Sequence, residues 1–233
     1  MRVSNLATPT GVSYSRTICA GPMVFQNRQD AGRQLAPLLE EFAQRSDAIV
    51  LGIPRGGVIV AFEIARALHL PLDLFLAHKL GVPGHEELAF GAIAANGSRY
   101  LDQQVLRASH VSAPEIERIT AEVQQMLDRR SLLYRGVRPP LRLAGQTVLL
   151  VDDGIATGAS AYAAIHALRE MKPAAILLAV PVAPPSTCAW LRQFVDRLVC
   201  LHTQENFYAV GAFYEDFSQV SDEDIIQLLH QST

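Results

Sequence analysis

Two adjacent carboxylates, Asp152 and Asp153, follow four apolar residues at 148–151 and precede a short loop with glycines at 154 and 158. The apolar run reads as a buried parallel strand, and an apolar-periodic segment from about Ala159 reads as the helix after the loop. A helix N-terminus at such a junction offers unpaired N–H groups and a positive dipole end, which suits a phosphate. Gly154 and Gly158 let the backbone approach the anion, and the hydroxyls of Thr157 and Ser160 can donate to it. The carboxylates suit the other chemistry, either sugar hydroxyls or a hydrated Mg²⁺. A second junction of this kind lies upstream, where a strand over 48–53 runs into Pro54-Arg55-Gly56-Gly57 and a helix follows. Plainer alternatives are an acidic pair that merely caps a helix and a turn with a surface arginine. The pairing of the two loops argues against both, because together they match a substrate with phosphates at both ends.

The elements that would position these residues alternate between strand and helix. An amphipathic helix spans 25–45, with Ala31, Leu35, Leu38, Leu39 and Phe42 on one face and Arg28, Arg33, Glu40 and Glu41 solvated outside it. A third strand covers 72–77 and ends at His78-Lys79, before a glycine-rich loop over 80–91 that carries His85 and Glu87 as site or solvated-tip residues. A hairpin over 88–101 turns at Asn96-Gly97. A long helix from near Pro114 to Tyr134 carries an apolar stripe of Ile116, Ile119, Val123, Met126 and Leu133, for packing on the sheet or on a second subunit. Beyond the central stretch the helix continues over 161–171, followed by a strand over 175–180, a proline-rich loop over 181–185, a short helix around a core Trp190 and a strand over 197–201. The aromatic segment 207–217 then lies near the rim of the site, and Asp222, Glu223 and Asp224 open a final helix. This alternation indicates one α/β domain with a mostly parallel sheet covered on both faces.

Composition narrows the function classes. A net charge of −3 over 233 residues gives no bulk reason to expect nucleic acid or an anionic membrane. Arg129, Arg130, Arg135, Arg138 and Arg142 form a basic cluster without aromatic interleaving, which reads as a solvated face favouring a helix C-terminus. No apolar run approaches the roughly 20 residues that span a bilayer. The three cysteines, Cys19, Cys188 and Cys200, lack metal-type spacing, and their odd number argues for reduced thiols in a cytoplasmic protein. Residues 1–22 read as a disordered extension, or as sequence ahead of a true start at Met23, which leaves 23–233 as the domain.

Four apolar positions, the Asp152-Asp153 pair, and a Thr157-Gly158 pair with the Ser160 hydroxyl two residues on resemble the PRPP-binding signature of type I phosphoribosyltransferases. PRPP is 5-phosphoribosyl 1-pyrophosphate. The resemblance implies that Asp152 and Asp153 hold the ribose 2′- and 3′-hydroxyls, and Mg²⁺ directly or through water. It also implies that Gly154, Ala156, Thr157, Gly158, Ala159 and Ser160 wrap the 5′-phosphate, and that Arg55, Gly56 and Gly57 bind pyrophosphate at a loop where members often hold a cis peptide. Lys79 matches a basic residue at the base of a flexible loop that closes over the site, which makes it a catalytic candidate with Asp152 and Asp153. Phe207 or Tyr208 matches an aromatic residue that stacks on the acceptor base, simple packing being the alternative. Hypoxanthine-type members carry an acid directly before the Thr-Gly pair, whereas this chain has Ala156, as adenine-type members do. That departure puts a 6-oxopurine acceptor in doubt and leaves no general base assigned.

From about Met23 onward the chain is similar to the little-characterised bacterial predicted phosphoribosyltransferase group. The implied fold is the type I phosphoribosyltransferase fold, a mostly parallel twisted sheet with helices on both faces and a small hood. The implied activity is transfer of a phosphoribosyl group from Mg²⁺·PRPP to a small-molecule acceptor such as a nucleobase, in nucleotide metabolism, with release of pyrophosphate. A homodimer is implied by the same analogy. A non-catalytic PRPP-binding regulator and hydrolysis of a phosphorylated sugar are the alternatives.

Overall fold

The structure, a computed structural model, describes residues 25–232. The expected extension over 1–22, the question of Met23 and Cys19 lie outside the described residues. The main sheet has five parallel strands: β1 (Ala48–Gly52), β2 (Leu72–Leu74), β6 (Thr147–Val151), β7 (Ala175–Ala183) and β8 (Arg197–Thr203). They lie in the order β2-β1-β6-β7-β8. β1 and β6 are neighbours in register from Ala48↔Thr147 to Gly52↔Val151. From β1 the chain steps outward to β2, then returns to β6 and steps the other way to β7 and β8. The reversal leaves a crevice at the carboxyl ends of β1 and β6, where an open α/β sheet binds its ligands. Both candidate loops open there.

Successive residues of the central strands point to opposite cores, which is why they are apolar throughout. Val50, Leu149, Val151 and Leu177 face one layer. That layer contains α1 (Arg28–Leu35), α2 (Gly56–Leu68), α4 (Ala113–Arg135) and α7 (Asp222–Gln231). Leu51, Val148, Leu150 and Leu178 face α5 (Ala159–Glu170) and α6 (Pro185–Leu191). The hood is a separate antiparallel sheet of β3 (Ala77–Val82), β4 (His85–Ala94) and β5 (Arg99–Leu101). Its turns use Gly84 and Gly97, both at positive φ. Among the described residues no helix is long and apolar enough to cross a membrane.

Several elements differ from expectation. The first helix ends at Leu35 and continues as a 3₁₀ helix, Ala36–Phe42, because Pro37 cannot donate to an α-helical bond. The third strand stops at Leu74, and the expected loop over 80–91 is largely the β3–β4 hairpin, which pairs with register shifts near Gly81. β7 runs through Pro181 to Ala183. β6 pairs with it only as far as Ala179, so Pro181 needs no N–H on that side. A short helix, α3 (Gln103–Ser109), capped by Asp102, was not expected. Of the α4 stripe, Ile116, Ile119, Val123 and Met126 pack on the core, whereas Leu133 is exposed. Arg135 is not solvated: it forks onto Asp73, with its Nη2 at 3.0 Å from Asp73 Oδ2. Arg138 donates to the Leu229 carbonyl. Cys188 and Cys200 are free thiols, and the Cys200 thiol donates to the His202 carbonyl at 3.0 Å.

Candidate active site at the β1–β6 crevice

Asp152 and Asp153 leave the end of β6 directly opposite the 54–57 loop, and two glycines bring the segments into contact. A Cβ on Gly56 would lie 1.8 Å from Asp153 Oδ2, and one on Gly57 would lie 2.8 Å from Asp152 Cα. The two loops that the sequence pairs only by chemistry therefore touch. The Pro54–Arg55 peptide is cis, and the N–H groups of Gly56 and Gly57 open α2. The Arg55 guanidinium is half exposed and stands 3.9 Å from Asp222 at the start of α7. Asp222 in turn accepts the Tyr134 hydroxyl at 2.5 Å. Burial, and then Asp222, push that phenol up to about 12.

The loop after β6 enters α5 through Gly158, whose φ of +82° is a conformation that side chains rarely adopt. A Cβ there would also meet Trp190 at 2.9 Å and Thr187 at 3.0 Å. Helix α6 thus buttresses the loop, and the Thr187 hydroxyl donates to the Ala156 carbonyl at 2.8 Å. Trp190, expected in the core, keeps 37% of its exposure and stacks on Tyr162. Ala156, Thr157 and Ser160 are exposed at the mouth, while Ala159 is half-buried.

The largest surprise is Arg28. Expected on a solvated helix face, it is 8% exposed and donates its Nε to Asp153 Oδ2 at 2.7 Å. Its Nη1 donates to the Ser218 carbonyl at 2.9 Å, and the Phe217 ring lies 3.7 Å over the guanidinium. The same aromatic segment holds the Asp153 backbone, since the Tyr214 hydroxyl donates to the Asp153 carbonyl. Burial pushes both carboxyls above their usual range. For Asp152 the neighbouring Asp153 charge adds to this, and for Asp153 the Arg28 hydrogen bond works against it.

The remaining candidates lie on the hood and in the segment after β8. Lys79 is half-buried on β3, opposite Ala92 of β4. Arg130 of α4 is exposed, as expected for a solvated basic face. Burial, then the charges of Arg130 and Lys79, hold the His78 imidazole below its ordinary value. His85 is exposed, and the Glu87 side chain lies outside the described residues. Phe207 stacks on Phe213 with ring centroids 5.0 Å apart, whereas Tyr208 is 93% exposed. Phe207 thus packs within its own segment, and Tyr208 projects into solvent.

Residues 24–218 match the family model for the phosphoribosyl transferase domain. The chain belongs to that family. A Mycobacterium tuberculosis protein, named provisionally as a phosphoribosyl transferase, is 42% identical to this phosphoribosyl transferase domain over 209 residues, which is 90% of the chain. Those residues make up 47% of that protein, so the chain spans about half the length of the curated relatives it matches. The crystal structure of TT1426 from Thermus thermophilus is 40% identical, with a TM-score of 0.83 over 90% of this chain and 99% of that one. The type I phosphoribosyltransferase fold expected from the sequence is the one observed, with its parallel sheet, flanking helices and hood.

Proposed function

We propose that the chain is a phosphoribosyltransferase. In this reading it binds Mg²⁺·PRPP at the β1–β6 crevice and transfers the phosphoribosyl group to a small-molecule acceptor, releasing pyrophosphate. The observation that carries this is the contact of the Gly56-Gly57 turn with Asp152 and Asp153. It joins an anion-binding helix start to a pair of hydroxyl-binding carboxylates within one crevice. The 5′-phosphate is taken by Gly154, Ala156, Thr157, Gly158, Ala159 and Ser160 at the start of α5. The ribose lies on Asp152 and Asp153. The pyrophosphate lies on the N–H groups of Gly56 and Gly57, with Arg55 and Lys79 supplying charge.

Among the described residues no three or more His, Cys, Asp or Glu side chains are grouped to hold a metal on their own. Two adjacent carboxylates do fit Mg²⁺, which uses one or two carboxylates and takes its other ligands from substrate phosphates and water. Bound with PRPP, the ion would neutralise charge on the pyrophosphate. The chain's own residues align the ribose C1 with the incoming acceptor atom and stabilise charge on the leaving group as the C1–O bond breaks. The β3–β4 hairpin, with Lys79 at its base, would limit water access to an oxocarbenium-like centre. Phe207 and Tyr208 are the candidate acceptor contacts, and the acceptor class is a flat nitrogen heterocycle or amine. A homodimer and a cytoplasmic location complete the reading.

The regulator alternative loses support, because Arg135 and Arg138 of the basic cluster are engaged within the fold. Pyrophosphate release from Mg²⁺·PRPP, measured with purine, pyrimidine and small-amine acceptors, tests the proposal. Release that depends on one acceptor is the expected result. Release without any acceptor would instead mean hydrolysis, and a melting temperature raised by PRPP with no release would favour the regulator.

A further inference from the structure

The candidate site contains one ionic contact that neither loop motif includes. Arg28, on the first turn of α1, divides its guanidinium between Asp153 Oδ2 at 2.7 Å and the Ser218 carbonyl at 2.9 Å. The Phe217 ring covers it at 3.7 Å, and the arginine and Asp153 side chains keep 9% and 14% of their exposure. The surrounding backbone is tied to match. Phe25 donates its N–H to the Phe213 carbonyl, and Glu215 and Asp216 donate to the carbonyls of Phe25 and Gln26. Tyr214, between these bonds, holds the Asp153 carbonyl. The segments before α1 and before α7 thus form one strap that grips Asp153 by both its backbone and its side chain.

We propose that Arg28 is a positioning residue for the ribose-binding carboxylate, acting through Asp153 on the hydroxyls of the donor. This rests on the donor placement given above. A guanidinium presents a rigid fork of donors that meets Asp153 and the Ser218 carbonyl at once, whereas an ammonium is a compact point charge without that fork. Without it, Asp153 would keep its burial and its Asp152 neighbour while losing the group that fixes its oxygen.

The test is calorimetric titration of ribose 5-phosphate, and separately of inorganic pyrophosphate, into wild type, Arg28→Gln, Arg28→Lys, Asp153→Asn and Arg28→Gln/Asp153→Asn. Losing one oriented, charge-assisted contact is expected to weaken ribose 5-phosphate about 10- to 100-fold in Arg28→Gln. Pyrophosphate should weaken clearly less than ribose 5-phosphate, because the 54–57 loop packs on Arg28 at Gly56 while its own N–H groups and Arg55 supply the anion contacts. Arg28→Lys should recover part of the loss by restoring the charge, and it provides the measurement if Arg28→Gln fails to fold. In the Asp153→Asn background, Arg28→Gln should cost nothing more. The inference is overturned if both ligands weaken equally, if the two substitutions add in full, or if Arg28→Gln binds ribose 5-phosphate more tightly, as a competitor's removal would. If Asp153→Asn leaves ribose 5-phosphate unchanged, the donor placement itself fails. If Asp153→Asn weakens it and Arg28→Gln does not, only the role of Arg28 fails.

Discussion

Gly56→Ala is expected to lower PRPP affinity by at least about 100-fold, or roughly 2.7 kcal/mol. Alanine is ordinarily the better residue in a helix, by about 1 kcal/mol. Here the added methyl would lie 1.8 Å from Asp153 Oδ2, 2.6 Å from its Cγ and 2.7 Å from Arg28 Nε. None of these atoms can yield cheaply, because the carboxylate and guanidinium hold each other. The 54–57 loop must therefore move away from the end of β6, which separates the pyrophosphate and ribose subsites. Overpacking of this kind costs about 1–3 kcal/mol, more than the gain in helix propensity, so the melting temperature should fall as well. Calorimetry and thermal melts on the purified variant check both effects. A variant that binds PRPP like wild type would show that the contact between the loops is not needed for the donor.

The neighbouring carboxylates are expected to respond to neutralisation in opposite directions. In Asp152→Asn a partly buried charge beside another carboxylate is removed, and the Asp153 N–H that its oxygen accepts at 2.9 Å can still bond the amide. Without donor the variant should melt higher than wild type, by roughly 2–4 °C per kcal/mol gained in a domain of this size. In Asp153→Asn the partner of a nearly buried arginine is lost, a class of change that costs up to about 3–5 kcal/mol. That variant should melt lower by several degrees, and both variants should lose PRPP affinity. Both carboxyls sit above their usual range in the folded chain, burial being the first cause. The folded state thus holds more protons than the unfolded one between the ordinary carboxylate range and the raised values. Stability without donor should accordingly decline as pH rises through that window, and Asp152→Asn should flatten the decline. A lower melting temperature for Asp152→Asn would contradict the electrostatic reading of the pair.

What could be read from the chain was local. The strand ending at Val151, the glycines at 154 and 158 and the helix from Ala159 are set by neighbouring residues, and all stand where expected. The 54–57 loop was legible for the same reason, and its contact with Asp152 and Asp153 follows from β1 and β6 being neighbours. Arg28 was not legible. Helical periodicity places it off the apolar face, and its partners are 125 and 190 residues away. The same holds for Arg135, which meets Asp73 across 62 residues. An arginine that a short window assigns to solvent can be claimed by a carboxylate only after the fold has closed. The hairpin at 80–91 failed differently, because its glycines and Pro83 weakened a strand signal that antiparallel pairing then restored. Pro181 misled in the same way, at a stretch of β7 beyond the end of its ladder with β6.

The most direct measurement is calorimetric titration of PRPP into the wild-type protein with and without Mg²⁺, with ribose 5-phosphate and pyrophosphate as competitors. The expected result is saturable binding at one site per chain, strengthened by Mg²⁺ and displaced by either competitor, since each fills one half of the crevice. Absence of binding, or binding that ribose 5-phosphate cannot displace, would contradict the placement of a phosphorylated ribose on Asp152 and Asp153.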